Sequence, residues 1–168
     1  MNIAIMGFWG TGKTTVCRLL AGELGKNLVL SEEETLKITG SSMEKFVRKN
    51  GWDKFRELES DAIEKLSALD DCIFELGSDV VMRNENVTNI KKNSILVLLT
   101  ADARTISARL NSGEKTMDRQ DLTHESKELL QEIEERFRKS ADYTIDTSGM
   151  SPQDVCNLVA HYARQELQ

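Results

Sequence analysis

The chain has 168 residues, 39% hydrophobic and 30% charged, with a formal net charge of −6. That is enough for one compact domain with a real core, and too polar for a membrane-spanning protein. The negative balance excludes the basic face that a nucleic-acid groove needs. MNIAIMGFWG lacks a basic n-region, so no signal peptide is read. The expectation is one domain over residues 1–168, cytoplasmic and monomeric, with a small-molecule partner. Cys17, Cys72 and Cys156 are widely spaced without a CxxC, and read as buried thiols.

Asn2–Met6 is a short apolar strand ending at a glycine-rich turn. Lys13–Leu24 comes next with apolar residues at 16, 17, 19, 20 and 24, and Gly25 is a helix C-cap. Leu28–Leu30 is a second strand. From Glu32 to about Leu69 the pattern is helical, broken at Gly40 and Gly51. Within it Trp52, Phe55, Leu58, Ala62, Ile63, Leu66 and Leu69 fall on one arc at about 100° per residue. Glu59 lies inside that arc and Arg56 at its edge. A buried carboxylate needs a cationic or hydrogen-bonding partner, which an Arg56-centred polar pocket or a structural ion pair would supply. Cys72–Phe74 and Ile95–Leu99 are continuous apolar runs, as in strands covered on both faces. Helical patterns recur at Ala103–Leu110, Ser126–Arg138 and Asp154–Gln165, the last with Ser151 as N-cap and Pro152 at its first position. Tyr143–Ile145 is a fifth strand. Residues 111–124 (NSGEKTMDRQDLTH) are polar without periodicity, which suits a mobile lid or a plain solvated loop. Strands alternating with helices predict an α/β fold with a parallel sheet wrapped on both faces.

Gly7-Phe-Trp-Gly10-Thr-Gly12-Lys13-Thr14 matches G-x-x-x-x-G-K-[ST], after a strand and opening a helix as that motif requires. Glycines let the backbone turn its N–H groups inward, and the helix adds its positive end. Lys13 can reach the β- and γ-phosphate oxygens, and the Thr14 hydroxyl can ligate Mg²⁺. Gly7, Gly10, Thr11, Gly12, Lys13, Thr14 and Thr15 are therefore expected to hold ATP·Mg²⁺. Trp9, between the glycines, either walls an acceptor pocket or packs against the second helix.

GFWGTGKTTVCRLLAGELG resembles the shikimate kinase family, within the P-loop nucleoside-monophosphate-kinase-like group, and the likeness extends over essentially the whole chain. The resemblance implies a P-loop three-layer α/β/α fold with a five-stranded parallel sheet and a mobile lid. It also implies ATP as phosphoryl donor, Mg²⁺, and a small alcohol as acceptor, which fold alone does not name. The family carries two aspartates after its second strand, one near Mg²⁺ and one gripping the acceptor as base. Here Leu30 and Glu32 stand at those places, so the resemblance makes Glu32 the acceptor-side carboxylate, while Leu30 cannot touch a metal. SEEE is equally what an ordinary helix start looks like.

The family's substrate arginine, in G-x-x-x-F-R-x-x-E, matches Arg56 within Gly51–Glu59. Its triple-glycine turn after the third strand corresponds to Gly77, Ser78 and Asp79, preceded by Glu75. These three are expected at the acceptor, and Glu75 or Asp79 is expected to replace the lost metal-side aspartate. Asp79 would also repel an acidic acceptor. Arg109 resembles the arginine that packs on adenine. Arg119-Gln-Asp-Leu122 resembles the lid's R-P-L-L, so Arg119, or Lys115 beside it, would neutralise the transferring group. The family's second acceptor arginine has no counterpart; Arg136 and Arg138 lie close by, and either serves or both are solvated. Thr147–Pro152 occupies the loop that lines the adenine. His124 and His161 have no partner at metal or triad spacing.

The expected function is an ATP-dependent phosphotransferase acting on a hydroxyl of a small metabolite, with shikimate the foremost named acceptor and Lys13, Arg119 and Glu32 catalytic. Two alternatives stay open. A nucleoside or nucleotide kinase would show a D-G-F-P-R-like segment where FELGSDVV stands. A non-catalytic ATP-binding regulatory protein would have a decayed acceptor pocket.

Overall fold

The structure, a computed structural model, describes residues 1–111 and 127–167. In chain order the elements are β1 (Asn2–Met6), α1 (Lys13–Leu24), β2 (Asn27–Leu30), α2 (Ser31–Thr39), α3 (Met43–Asn50), α4 (Trp52–Ser67) and β3 (Cys72–Glu75). Next are a 3-10 turn (Ser78–Met82), α5 (Asn84–Lys91), β4 (Ser94–Thr100) and α6 (Ala103–Asn111). After residue 126 come α7 (Lys127–Ser140), β5 (Tyr143–Asp146) and α8 (Pro152–Gln165). The expected elements are all present. Gly40 and Gly51 do break the long helical stretch, each donating its N–H back to the preceding helix, at Leu36 and Val47.

The five strands form one parallel sheet in the order β2-β3-β1-β4-β5. Parallel strands need crossovers, and the intervening helices cover both faces, so alternate residues of each strand enter two separate cores. On one face Ile3, Ile5, Ile73, Val97 and Leu99 pack against Val16, Cys17 and Leu20 of α1 and Val155, Cys156 and Val159 of α8. On the other, Ala4, Met6, Phe74, Leu96 and Leu98 meet Ile63 and Leu66 of α4, Ile90 of α5, and Ile133 and Phe137 of α7. Each large side chain fully buried in this way contributes roughly 1.5–3 kcal/mol. The apolar arc of α4 holds through Phe55, Ala62, Ile63 and Leu66, with Glu59 buried among them, and ends there, since Leu69 is exposed. A third, small cluster of Met43, Val47 and Phe55 joins α3 to α4.

Two elements have no forerunner in the sequence pattern, the 3-10 turn and α5. NENVTNIK offers only Val87 and Ile90 as apolar anchors, and its first turn has no side-chain cap. Helix α5 forms because Ile90 reaches the second core and Asn86 donates to the Val80 carbonyl at 3.0 Å. Tertiary contact wins over weak local preference.

All three cysteines are free and buried. Burial pushes the Cys17 thiol well up, and burial together with Glu23 raises Cys156 to about 12. Both stay protonated and unreactive at neutral pH. Among the described residues no helix is long and apolar enough to cross a membrane.

Candidate active site

In this strand order β2 and β3 are added on one side of β1 and β4 and β5 on the other, and the crevice for a ligand opens at the carboxyl ends of the strands there. The glycine-rich loop leaves β1 at that point. Gly7 has φ 148°, and a Cβ on it would lie 2.4 Å from the Leu99 carbonyl oxygen at the end of β4. Gly10 has φ 78°, and a Cβ there would meet Ile106 at 2.9 Å. Both glycines are required by positive φ and by close approach. Gly7→Ala is expected to destabilise the protein by about 3 kcal/mol, measured by urea unfolding, because strain and a backbone clash add. Gly12 is the N-cap of α1 in the left-handed region and makes no side-chain cap. The first-turn N–H groups thus receive no capping side chain and point at the crevice, a ready anion site.

A cavity of about 900 Å³ runs along this edge. The P-loop stretch from Phe8 to Val16 forms its floor, Leu30, Glu32 and Glu33 stand at one end, and Arg109, Thr147 and Pro152 at the other. Lys13 is buried, and its Nζ donates to the Leu76 carbonyl oxygen at 3.0 Å, so the ammonium sits across the loop between β1 and β3. The Thr14 hydroxyl donates to Glu75 Oε1 at 2.7 Å, a short charge-assisted bond. Donating its proton leaves the hydroxyl oxygen's lone pairs for a cation. Glu75 Oε2 is buried and takes no hydrogen bond among the described residues. A hydroxyl and an under-satisfied carboxylate side by side fit Mg²⁺ and its bound water.

Leu30 and Glu75 are partners in the β2–β3 register. Side chains of paired residues in a parallel ladder share a sheet face. Glu75 therefore presents a carboxylate on the same face and at the same level as Leu30 at the end of β2. Asp79, the other acid expected at the metal, stands instead with Arg56, Oδ2 to Nε 3.7 Å. Gly77 lines the cavity, and its N–H donates to Ser31 Oγ at 2.9 Å. Ser31, which nothing in the sequence singles out, thereby ties the β2 end to the turn after β3. Ser78 is buried beside it. Glu32 begins α2 and faces the cavity, whereas Arg56 and Asp79 are not among its walls.

At the far end Arg109 acts as a clasp. Its Nη1 donates to the Gly10 carbonyl and to Thr147 Oγ1, both at 3.0 Å, and Nη2 donates to the Thr147 carbonyl at 3.0 Å. Thr147 Oγ1 in turn donates toward the Thr11 carbonyl at 2.9 Å. Loops after β1 and β5 are thus held to α6, and the guanidinium plane remains at the cavity wall. Trp9 lines the cavity, and Phe8 packs edge-on against Phe137 with centroids 5.1 Å apart, anchoring the loop to α7. Thr15 reaches the cavity rim and is exposed. Arg136 donates to the Val81 and Met82 carbonyls and pairs with Glu132, so it closes the 3-10 turn. Arg138 pairs with Glu134 on the exposed face of α7. Arg119, Lys115 and His124, with the lid expected over 111–124, fall outside the described residues except for Asn111.

Fold and loop together define a P-loop protein of the kinase type. Comparison with known proteins narrows this. The model of the shikimate kinase family matches residues 9–164, and the chain belongs to that family. It is 36% identical over 163 residues to the shikimate kinase of Caldanaerobacter subterraneus, covering 94% of this chain and 93% of that one. It is 32% identical over 166 residues to that of Pelotomaculum thermopropionicum, covering 98% and 96%. Among solved structures, shikimate kinase from Acinetobacter baumannii in complex with shikimate superposes with a TM-score of 0.85 at 25% identity, over 98% of this chain and 93% of that one.

Proposed function

We propose that this protein transfers the γ-phosphoryl group of ATP to a hydroxyl of shikimate. The observation that carries the reading is the convergence of Lys13, the Thr14–Glu75 pair and Glu32 on one continuous cavity, floored by the P-loop. Family membership supports the acceptor; the cradle supports the donor.

The P-loop N–H groups and the α1 N-terminus bind the triphosphate, and Lys13 moves its ammonium from the Leu76 carbonyl toward the β–γ region. Thr14 and Glu75 would hold Mg²⁺, which when bound neutralises charge on the β- and γ-phosphates. Arg109 presents its guanidinium plane to the adenine while keeping its bonds to Thr147 and Gly10. Arg119 is proposed to add positive charge from the 112–126 segment. At the other end Glu32 orients the acceptor hydroxyl and takes its proton. The hydroxyl oxygen bonds to Pγ, the bond from Pγ to the β–γ bridging oxygen breaks, and ADP leaves with that electron pair. The residues act by placement and charge, as phosphoryl transfer requires. The test is ADP release with shikimate, nucleosides and simple sugars as acceptors. Shikimate-dependent ADP formation with matching shikimate phosphate supports the reading. ADP formation only with a nucleoside or a sugar, or none above the acceptor-free rate, overturns it.

A further inference from the structure

Ser31 takes no part in the proposed mechanism, yet it stands at a joint between Lys13 and Glu32. It opens α2 directly before Glu32 and is fully buried. Its Oγ accepts from the Gly77 N–H at 2.9 Å. The peptide group that supplies this N–H also supplies the Leu76 carbonyl, and that oxygen accepts from Lys13 Nζ at 3.0 Å. A trans peptide is planar, with its oxygen and its N–H on opposite edges. One flat, stiff unit therefore has the phosphate lysine on one edge and the hydroxyl beside Glu32 on the other. Bonds at the two ends of one amide also polarise and strengthen each other. The faces of α2 sort in the same way. Ser31 and Thr35, four apart, are buried, and Thr35 Oγ1 donates to the Ser31 carbonyl oxygen at 2.9 Å. Glu32 and Leu36, the next pair round the helix, line the cavity. Gly77 lines it too, whereas Ser31 is not among its walls.

We infer that Ser31 is a positioning residue for the transfer step, fixing the first turn of α2 to the Leu76–Gly77 peptide so that Glu32 keeps its place relative to Lys13. This rests on Glu32 being the acceptor-side base, as proposed above. When Lys13 turns to the phosphates, the Leu76 carbonyl gives up that bond. Ser31 then still holds the same peptide from its other edge. General-base catalysis leaves little play, since the base must sit within about 2.6–3.2 Å of the group it deprotonates. Without the Ser31 hydroxyl, the buried Gly77 N–H loses its acceptor. The turn and the start of α2 then relax independently, and Glu32 moves with the helix.

The experiment measures kcat and the KM of each substrate for wild type, Ser31→Ala and Ser31→Thr, with Ser31→Ala also made in a Glu32→Gln background. Amide hydrogen exchange at Gly77 gives a readout without turnover, and thermal unfolding checks that each variant folds. Ser31→Ala is expected to lower kcat about 10- to 100-fold, the scale of a small misplacement at a reacting group. It should leave KM for ATP within about threefold, and speed Gly77 exchange about tenfold. Ser31→Thr keeps the hydroxyl and should stay within about threefold of wild type in kcat. On top of Glu32→Gln, Ser31→Ala should have no further effect on kcat. A kcat within about threefold of wild type in folded Ser31→Ala overturns the inference. So does an undiminished loss in the Glu32→Gln background, which a merely structural role would give. Should Ser31→Ala not fold, Ser31→Cys takes its place; its thiol accepts weakly, so the same fall in kcat is required. A wild type that phosphorylates no acceptor sinks the proposed reaction, and unchanged Gly77 exchange in Ser31→Ala sinks the tie itself.

Discussion

Lys13→Met is expected to lower kcat/KM for phosphoryl transfer by about 10³-fold, with most of the loss in kcat and little change in the folded structure. Lys13 and Arg109 are the cations on the cavity wall among the described residues, and Arg109 is engaged with Gly10 and Thr147. Charge building on the transferring group would lose its counter-charge, and such losses typically cost two to three orders of magnitude. Methionine keeps the buried stem's volume, so α1 should keep its packing. Lys13→Arg should rescue poorly, because a planar fork in place of a compact ammonium changes the reach past Leu76. Steady-state kinetics with circular dichroism on each variant checks this. A loss under tenfold would mean that Lys13 serves only to tie β1 to β3.

The second large effect belongs to Glu75. Replacing it with Gln or Ala is expected to weaken metal–nucleotide binding by roughly 10- to 100-fold, the usual cost of removing a partner that orients a metal ligand. Glu75→Gln keeps the shape of the Thr14 bond and removes its charge. The register makes a sharper test possible. Leu30 lies opposite Glu75 on the same sheet face, so Leu30→Asp combined with Glu75→Ala should recover most of the affinity lost in Glu75→Ala. Mn²⁺ binding to the ADP complex, followed by electron paramagnetic resonance, reads this without turnover. No recovery in a folded double variant would place the metal away from these two strand ends.

The phosphate cradle is legible in the sequence because it is local. Positive φ, close approach and inward N–H groups are imposed by Gly7, Gly10 and Gly12 within a few residues, and the structure needs them there. The sheet is legible for a related reason, since strands buried on both faces carry unbroken apolar runs such as SILVLLT. Helix α5 is not, because two apolar residues three apart are too few to mark a helix and its stability comes from the second core. At the acceptor end the sequence offers Glu75 and Asp79 as equal candidates for the metal. Their separation into a Thr14 partner and an Arg56 partner depends on strand register and on how α4 crosses the turn. Neither is encoded within a few residues. Arg109 is visible by family likeness, but its three hydrogen bonds to Gly10 and Thr147 depend on loops 99 and 38 residues away.

That clasp has a mechanical side. Helix α6 contributes no buried residue, so apolar packing does little to fix it. What locates it is Ile106 seated against the bare α-carbon of Gly10, and Arg109 gripping the same glycine's carbonyl. Cradle and helix thus touch at Gly10, while two further bonds from Arg109 to Thr147 moor the same helix to the loop after β5. Strain placed on Gly10 would be passed to α6 through Ile106 and Arg109 and resisted at Thr147.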